Sequence, residues 1–198
     1  VRDDLQRIVE FGDTYAEAFE QYITRRQLLD EEILSLTEAE ERLIGQLGDN
    51  LAVAEMMGAD QSMLLMAEAI RSLLQSRYYG RRALTEGFGD SHDRAQSELD
   101  ILQSLLTRIL NSQERIMHAS VQPIFEDVIS YTNRYQAAVS ITEQLNALAN
   151  NELDHIGPQM AGSVGVVVDE VVELQNHAGD EIEAAFTQQK FFSTLLGL

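Results

Sequence analysis

Leu5-Gln6-Arg7-Ile8-Val9-Glu10, followed by Tyr15 and Phe19, returns in outline as Val121-Gln122-Pro123-Ile124-Phe125-Glu126, followed by Tyr131 and Tyr135. One structural unit used twice is the simplest source of such a repeat, and each copy needs partners to cover its apolar stripe. Around both copies apolar residues recur every three or four positions, the period of an amphipathic helix. The chain therefore reads as all-α, built of stacked antiparallel four-helix bundles that share two long helices.

From Leu5 to Met57 the period runs without a proline, which predicts a first helix over 1–57. At 1.5 Å per residue it would extend about 85 Å. Gly58-Ala59-Asp60 ends it, and Asp60 or Ser62 is expected to cap a second helix reaching Glu86. After the turn Gly87–Ser91 a third helix is expected over 92–111, with Leu99, Leu102, Leu106 and Ile109 inward and Asn111-Ser112 as its stop. A fourth takes the remainder, with Pro123 near its start and a bend expected at Gly157-Pro158. The run Val164-Gly165-Val166-Val167-Val168 suggests a strand, but Ile156, Met160, Val171 and Leu174 keep the helical period on both sides.

The order long, short, short, long has a simple packing solution. The short hairpin lies against the far parts of the long helices, giving a complete four-helix bundle over 29–145. Segments 1–28 and 146–190 then keep apolar stripes (Tyr15 and Phe19; Ile156, Val167 and Val171) that call for a cover, either another copy or a hairpin preceding Val1. The repeat favours the hairpin, because its copy at 121 follows one. With Val1 first and no leader before it, a fragment of a longer protein is expected. Residues 191–198, mostly apolar behind Lys190, are read as the start of a transmembrane helix, although a full span takes about 20 residues.

Of 198 residues, 44% are hydrophobic, which excludes a disordered chain. A net charge of −19 repels phosphate backbones and anionic headgroups, so no nucleic-acid partner is expected. An acid-binding site here must gather several of the 14 Lys and Arg residues in one place. The absence of cysteine fits an extracytoplasmic compartment, although many cytosolic helical proteins share it.

One such gathering lies on the second helix. Its inward positions are read as Met63, Met66, Ala67, Ile70, Leu73 and Leu74, then Arg77 and Arg81, then Leu84. Burying a guanidinium is costly unless an anion meets it. Counting from the turns puts residues 36–40 and 131–135 at the same height, with Tyr131 and Tyr135 inward and Arg134 beside them. Arg77, Arg81, Tyr131, Arg134 and Tyr135 thus form a candidate pocket for a small carboxylate, gripped by arginine and steadied by tyrosine. The rival reading uses Glu40, at the same height, as an internal partner for Arg77 while Arg81 reaches outward. A second polar level, Tyr22, Arg25 and Arg26 opposite Gln144, Asn146 and Asn150, is a further candidate ligand pocket, in the membrane-proximal part where half the walls are absent.

Glu152 and His155 make a single ExxH, whereas a di-metal bundle needs two such elements and two further glutamates. No nucleophile–base arrangement or phosphate loop appears, so neither catalysis nor a metal or cofactor is expected. Met56, Met57, Met63 and Met66 are read as core at the bundle tip.

The helix order, the Tyr-x3-Phe/Tyr ends of both repeats and the Phe191-Phe192 tail resemble the helical bimodular ligand-binding region of bacterial methyl-accepting chemotaxis receptors. The resemblance implies a periplasmic sensor domain of an inner-membrane protein, with six helices in two stacked bundles. It also implies a small organic acid as ligand, such as acetate or a tricarboxylic-acid-cycle intermediate, and a homodimer that signals along its C-terminal helix. In that frame 29–145 is the membrane-distal bundle, and 1–28 with 146–190 the membrane-proximal one. The chain departs by lacking the first two helices and the first span. A non-sensing helical interaction or adaptor domain, or the sensor of a histidine kinase, is the alternative.

Overall fold

A computed structural model describes the backbone of residues 2–196 and their side chains, apart from those of residues 2, 116 and 184–196. The fold is all-α: α1 (Arg2–Met57), α2 (Asp60–Glu86), α3 (Gly89–Leu110), a 3-10 turn (Arg115–Met117), α4 (His118–Leu148), a π-helical turn (Ala149–Leu153) and α5 (Asp154–Leu196). No strand occurs among the described residues, and the valine run 164–168 is helical within α5.

The joints show why the elements end where they do. Gly58 sits at φ 64, a left-handed conformation that glycine adopts without penalty, and it reverses the chain between α1 and α2. Neither Asp60 nor Ser62 caps α2; the N-cap is Ala59, without a side-chain hydrogen bond. Glu114, from the segment joining α3 to α4, takes over that work, its Oε2 accepting from the Ser62 N–H at 2.9 Å. Gly87 and Gly89 have φ of 110 and 30, and the positive φ of both lets α3 begin at Gly89, three residues before the expected start. The last helix is not continuous. A π turn interrupts it at Ala149–Leu153, upstream of the Gly157-Pro158 where the bend was expected. Pro158 lacks the N–H that would bond the Asp154 carbonyl, so irregularity gathers in this stretch.

The chain divides into two compact units, Val1–Ile23 with Asn146–Leu198, and Thr24–Leu145, where 1–28 with 146–190 and 29–145 had been expected. In the second unit the C-terminal part of α1 packs with α2, α3 and α4 as a four-helix bundle. Leu43, Leu47, Leu73, Leu99, Leu102, Leu106, Met117 and Ile124 are fully buried there. Each such side chain contributes about 1.5–3 kcal/mol by leaving water.

The face α2 turns inward overlaps the expected one at Met66 and Leu73 but is rotated from it. Ser62, Leu65, Met66, Ala69, Ser72, Leu73, Ser76, Gly80 and Ala83 are buried, whereas Leu74 is exposed and Ala67 faces solvent. Small side chains let α2 approach its neighbours closely: a Cβ on Gly80 would stand 3.1 Å from the Tyr135 ring. Of the four methionines expected as core at the bundle tip, Met56 and Met57 are exposed, Met63 is half-buried and only Met66 is buried.

In the first unit the copy of the repeat at 5–19 is uncovered. Leu5, Tyr15 and Phe19 on α1 are exposed, as are Val164, Val171 and Leu174 on α5, although Ala18 and Ile156 are buried. The second copy has the opposite fate, with Val121, Ile124, Tyr131 and Tyr135 all buried against α1, α2 and α3. Among the described residues no helix is long and apolar enough to cross a membrane. The expected start of a span at 191–198 lies outside the residues whose side chains are described.

Candidate functional site

Because α1 and α2 run antiparallel from a two-residue joint, Glu40 and Arg77 reach the same level, together with Arg81, Tyr131 and Tyr135, three further residues that the sequence had placed there. Ile33, Leu36, Thr37 and Glu40 of α1, Arg77, Gly80, Arg81 and Leu84 of α2, and Tyr131 and Tyr135 of α4 line one small cavity of about 20 Å³. That is room for about one water molecule.

Glu40 organises the level. It is 3% exposed, and an isolated carboxylate at that depth would be strongly disfavoured. Its Oε2 instead receives Arg77 Nε at 3.0 Å and Arg81 Nη2 at 3.3 Å, while its Oε1 accepts from the Tyr131 hydroxyl at 2.8 Å. Arg81 Nη2 also donates to Thr37 Oγ1 at 3.3 Å. The Arg77 side chain is 31% exposed and that of Arg81 49%, so both guanidiniums reach from the carboxylate to the solvent. The internal pair between Arg77 and Glu40, the rival reading of this level, is therefore present, and Arg81 joins it while reaching out.

The tyrosines differ in their work. Burial, then the adjacent Glu40 charge, raises the Tyr131 hydroxyl well above its ordinary pKa, so it stays a donor. Tyr135 is pushed up to about 12 by burial and by Asp93. Its hydroxyl lies 3.1 Å from His92 Nδ1 and its ring stacks on the imidazole, which ties α4 to α3. His92 belongs to the site's support yet was not anticipated, because its position was read as the first residue after a turn. The Phe88 ring, edge-on to it, completes the stack.

Arg134 does not converge on this level. It lies outside the cavity lining and instead bonds the Ser35 hydroxyl of α1 and lies 3.8 Å from Glu32 of the same helix. The reason is the helical period: Tyr131 and Tyr135, four apart, share the inward face, and Arg134 beside Tyr135 in sequence is turned 100° from it. The second polar level is also dispersed. Arg25 Nε donates to Gln144 Oε1 at 3.0 Å, and Arg26 pairs with Asp30 of its own helix at 3.3 Å on the surface. Tyr22, half-buried, and the exposed Asn146 and Asn150 belong to the other compact unit. Glu152 and His155 are both exposed, and no group of three or more metal-ligating side chains occurs among the described residues.

No protein-family model, curated protein or solved structure matches this chain. What the fold and site define is a class: an all-α bundle with a charged cluster of two arginines and one glutamate at its waist.

Proposed function

We propose that this chain is the ligand-sensing region of a transmembrane chemoreceptor, a periplasmic domain that works as a homodimer and binds a small carboxylate at the Arg77 and Arg81 level. One observation carries the reading: two guanidiniums face a single internal carboxylate, so one positive charge is left over at a solvent-reaching cleft in a chain of net charge −19. An acetate-like or larger organic acid is the ligand class that such a charge selects, through the guanidinium N–H groups that Glu40 leaves unused. The sequence resemblance points the same way.

Entry requires movement, since the cavity is about 20 Å³. A carboxylate settling between the arginines would draw α2 relative to α1 and α4, and a ligand shifts such an equilibrium only by its preference for one arrangement. Tyr131 and Tyr135 carry that shift into α4, which continues through the π turn into α5. Binding rather than catalysis is the role read here, because the level gathers two guanidiniums around one carboxylate.

A second reading, a helical interaction or adaptor domain, is favoured by the closed Arg77–Glu40 pair and the small cavity. Titration calorimetry with acetate and with di- and tricarboxylic acids separates the two. Saturable binding by the unaltered chain, lost in Arg77→Ala with Arg81→Ala, supports the sensor. No heat from any acid supports the adaptor.

A further inference from the structure

Of the residues that line the small cavity, only Glu40, Arg77 and Arg81 are ionic. Tyr131 and Tyr135 stay neutral beside them, because burial holds both hydroxyls above their ordinary pKa. The level therefore carries one positive charge, two guanidiniums against one carboxylate. That carboxylate is a resident one, tethered to α1 and only 3% exposed. It is bonded on both oxygens, to Arg77 at 3.0 Å and Arg81 at 3.3 Å through Oε2 and to the Tyr131 hydroxyl at 2.8 Å through Oε1. Any acid that enters must share the arginines with it.

We propose that Glu40 is a specificity-determining residue: it limits the cleft to ligands of a single negative charge, short-chain monocarboxylates, and refuses compact dicarboxylates. The inference rests on the carboxylate-binding reading and adds the ground on which acids are told apart. A monocarboxylate brings the level to neutrality. Glu40 keeps the shorter bond, to Arg77, and the newcomer takes Arg81, whose bond to Glu40 is the longer and whose side chain is 49% exposed. A compact dicarboxylate instead leaves one excess negative charge beside a buried carboxylate, where like charges repel more strongly than in bulk water. The rest of the lining agrees, for Ile33, Leu36 and Leu84 meet an alkyl group and give a second carboxylate nothing to bond.

Charge, not shape, makes this choice, so altering the charge alters the ligand. Glu40→Gln keeps the side-chain shape and leaves two positive charges, which suit a dicarboxylate. Arg81→Gln leaves Arg77 and Glu40 to cancel each other, and no acid is then favoured. Both changes in one chain restore a single positive charge, now on Arg77, and with it the taste for a monocarboxylate. A residue that merely shaped the cleft would not be rescued by a second loss of a charged partner.

Titration calorimetry with propionate and with malonate tests this on the unaltered chain and the three variants, each first checked for helical circular dichroism. Malonate holds its carboxylates one carbon apart, so neither can stay in bulk water while the other binds. The unaltered chain should favour propionate by about tenfold, the scale of a like-charge contact partly screened by solvent. Glu40→Gln should erase or reverse that preference, Arg81→Gln should lose both acids, and the double variant should regain propionate. Equal affinities in the unaltered chain, an unchanged ratio in Glu40→Gln, or propionate binding that survives Arg81→Gln overturns the charge rule and leaves an acid sensor standing. Silence of every protein toward both acids removes the carboxylate reading itself, and this inference with it. Arg81→Gln, at a half-exposed position, keeps the test decisive should Glu40→Gln fail to fold.

Discussion

The Tyr131 hydroxyl of α4 donates to Glu40 Oε1 of α1 at 2.8 Å, while the other oxygen of the same carboxylate takes Arg77 and Arg81 of α2. Three helices are thus joined through one side chain that is itself almost wholly buried. A network of this kind stabilises only while every member is satisfied.

Glu40→Gln should therefore destabilise the bundle more than its isosteric shape suggests. The amide keeps a hydrogen-bond acceptor but leaves two guanidiniums without their counter-charge. Loss of one partner from a buried pair costs about 3–5 kcal/mol, and the partial exposure of both arginines moves the expectation to about 3 kcal/mol. Urea unfolding of the two proteins measures it; a change below about 0.5 kcal/mol, the size of an ordinary surface substitution, would contradict the network.

The two arginines should be unequal. Arg77 meets Glu40 through Nε at 3.0 Å and is about one-third exposed, whereas Arg81 reaches it at 3.3 Å with half its side chain in water. Solvent screens the more exposed partner, so Arg81→Ala is expected to cost under about 1 kcal/mol. Arg77→Ala should cost about 2 kcal/mol, because it removes the shorter, less hydrated bond and apolar stem packing together. Equal losses in thermal unfolding would show that the arginines share the carboxylate evenly.

Much of this level was legible in the sequence, and the failures have physical causes. Helical arithmetic from Gly58 brought Glu40, Arg77, Tyr131 and Tyr135 to one height, because rise per residue is fixed by backbone hydrogen bonds. The rotation of α2 was less legible. Following the apolar residues selected Ala67 and Leu74, but the buried face is lined by Ser62, Ser72, Ser76 and Gly80, and at Gly80 it is the Tyr135 ring opposite that leaves no room for a larger side chain. Hydrophobicity carries no signal for a position that must merely be small. The two copies of the repeat teach the same lesson: one pattern is buried at Val121–Tyr135 and exposed at Leu5–Phe19, since burial depends on what lies opposite.

Gly80→Ala tests that close approach. In an open helix the change would gain about 1 kcal/mol from propensity. Here the new Cβ would stand 3.1 Å from Tyr135 Cε2, and the ring is held by its stack on His92 and by the hydroxyl contact at 3.1 Å. Overpacking of about 1–3 kcal/mol then outweighs propensity, for a net loss of about 1 kcal/mol. Combining it with Tyr135→Leu should remove the penalty, and a stabilising Gly80→Ala on its own would mean that the ring yields freely.

Alkaline pH gives the last test, through the tyrosines. In the unfolded chain a phenol ionises near pH 10. In the fold Tyr131 is raised above that by burial and by Glu40, and Tyr135 is pushed up to about 12 by burial and by Asp93. Below pH 10 both states hold these protons and stability does not depend on them. Above it the unfolded chain releases them first, so the native state binds more protons and stability falls as pH rises. The slope approaches about 1.4 kcal/mol per pH unit for each proton retained. Tyr131→Phe forfeits about 1 kcal/mol with its hydrogen bond but removes one retained proton, so it should start less stable and decline less steeply above pH 10. Denaturant titrations on either side of that pH read both quantities. Identical slopes would mean that the Tyr131 hydroxyl ionises as readily in the bundle as in the open chain.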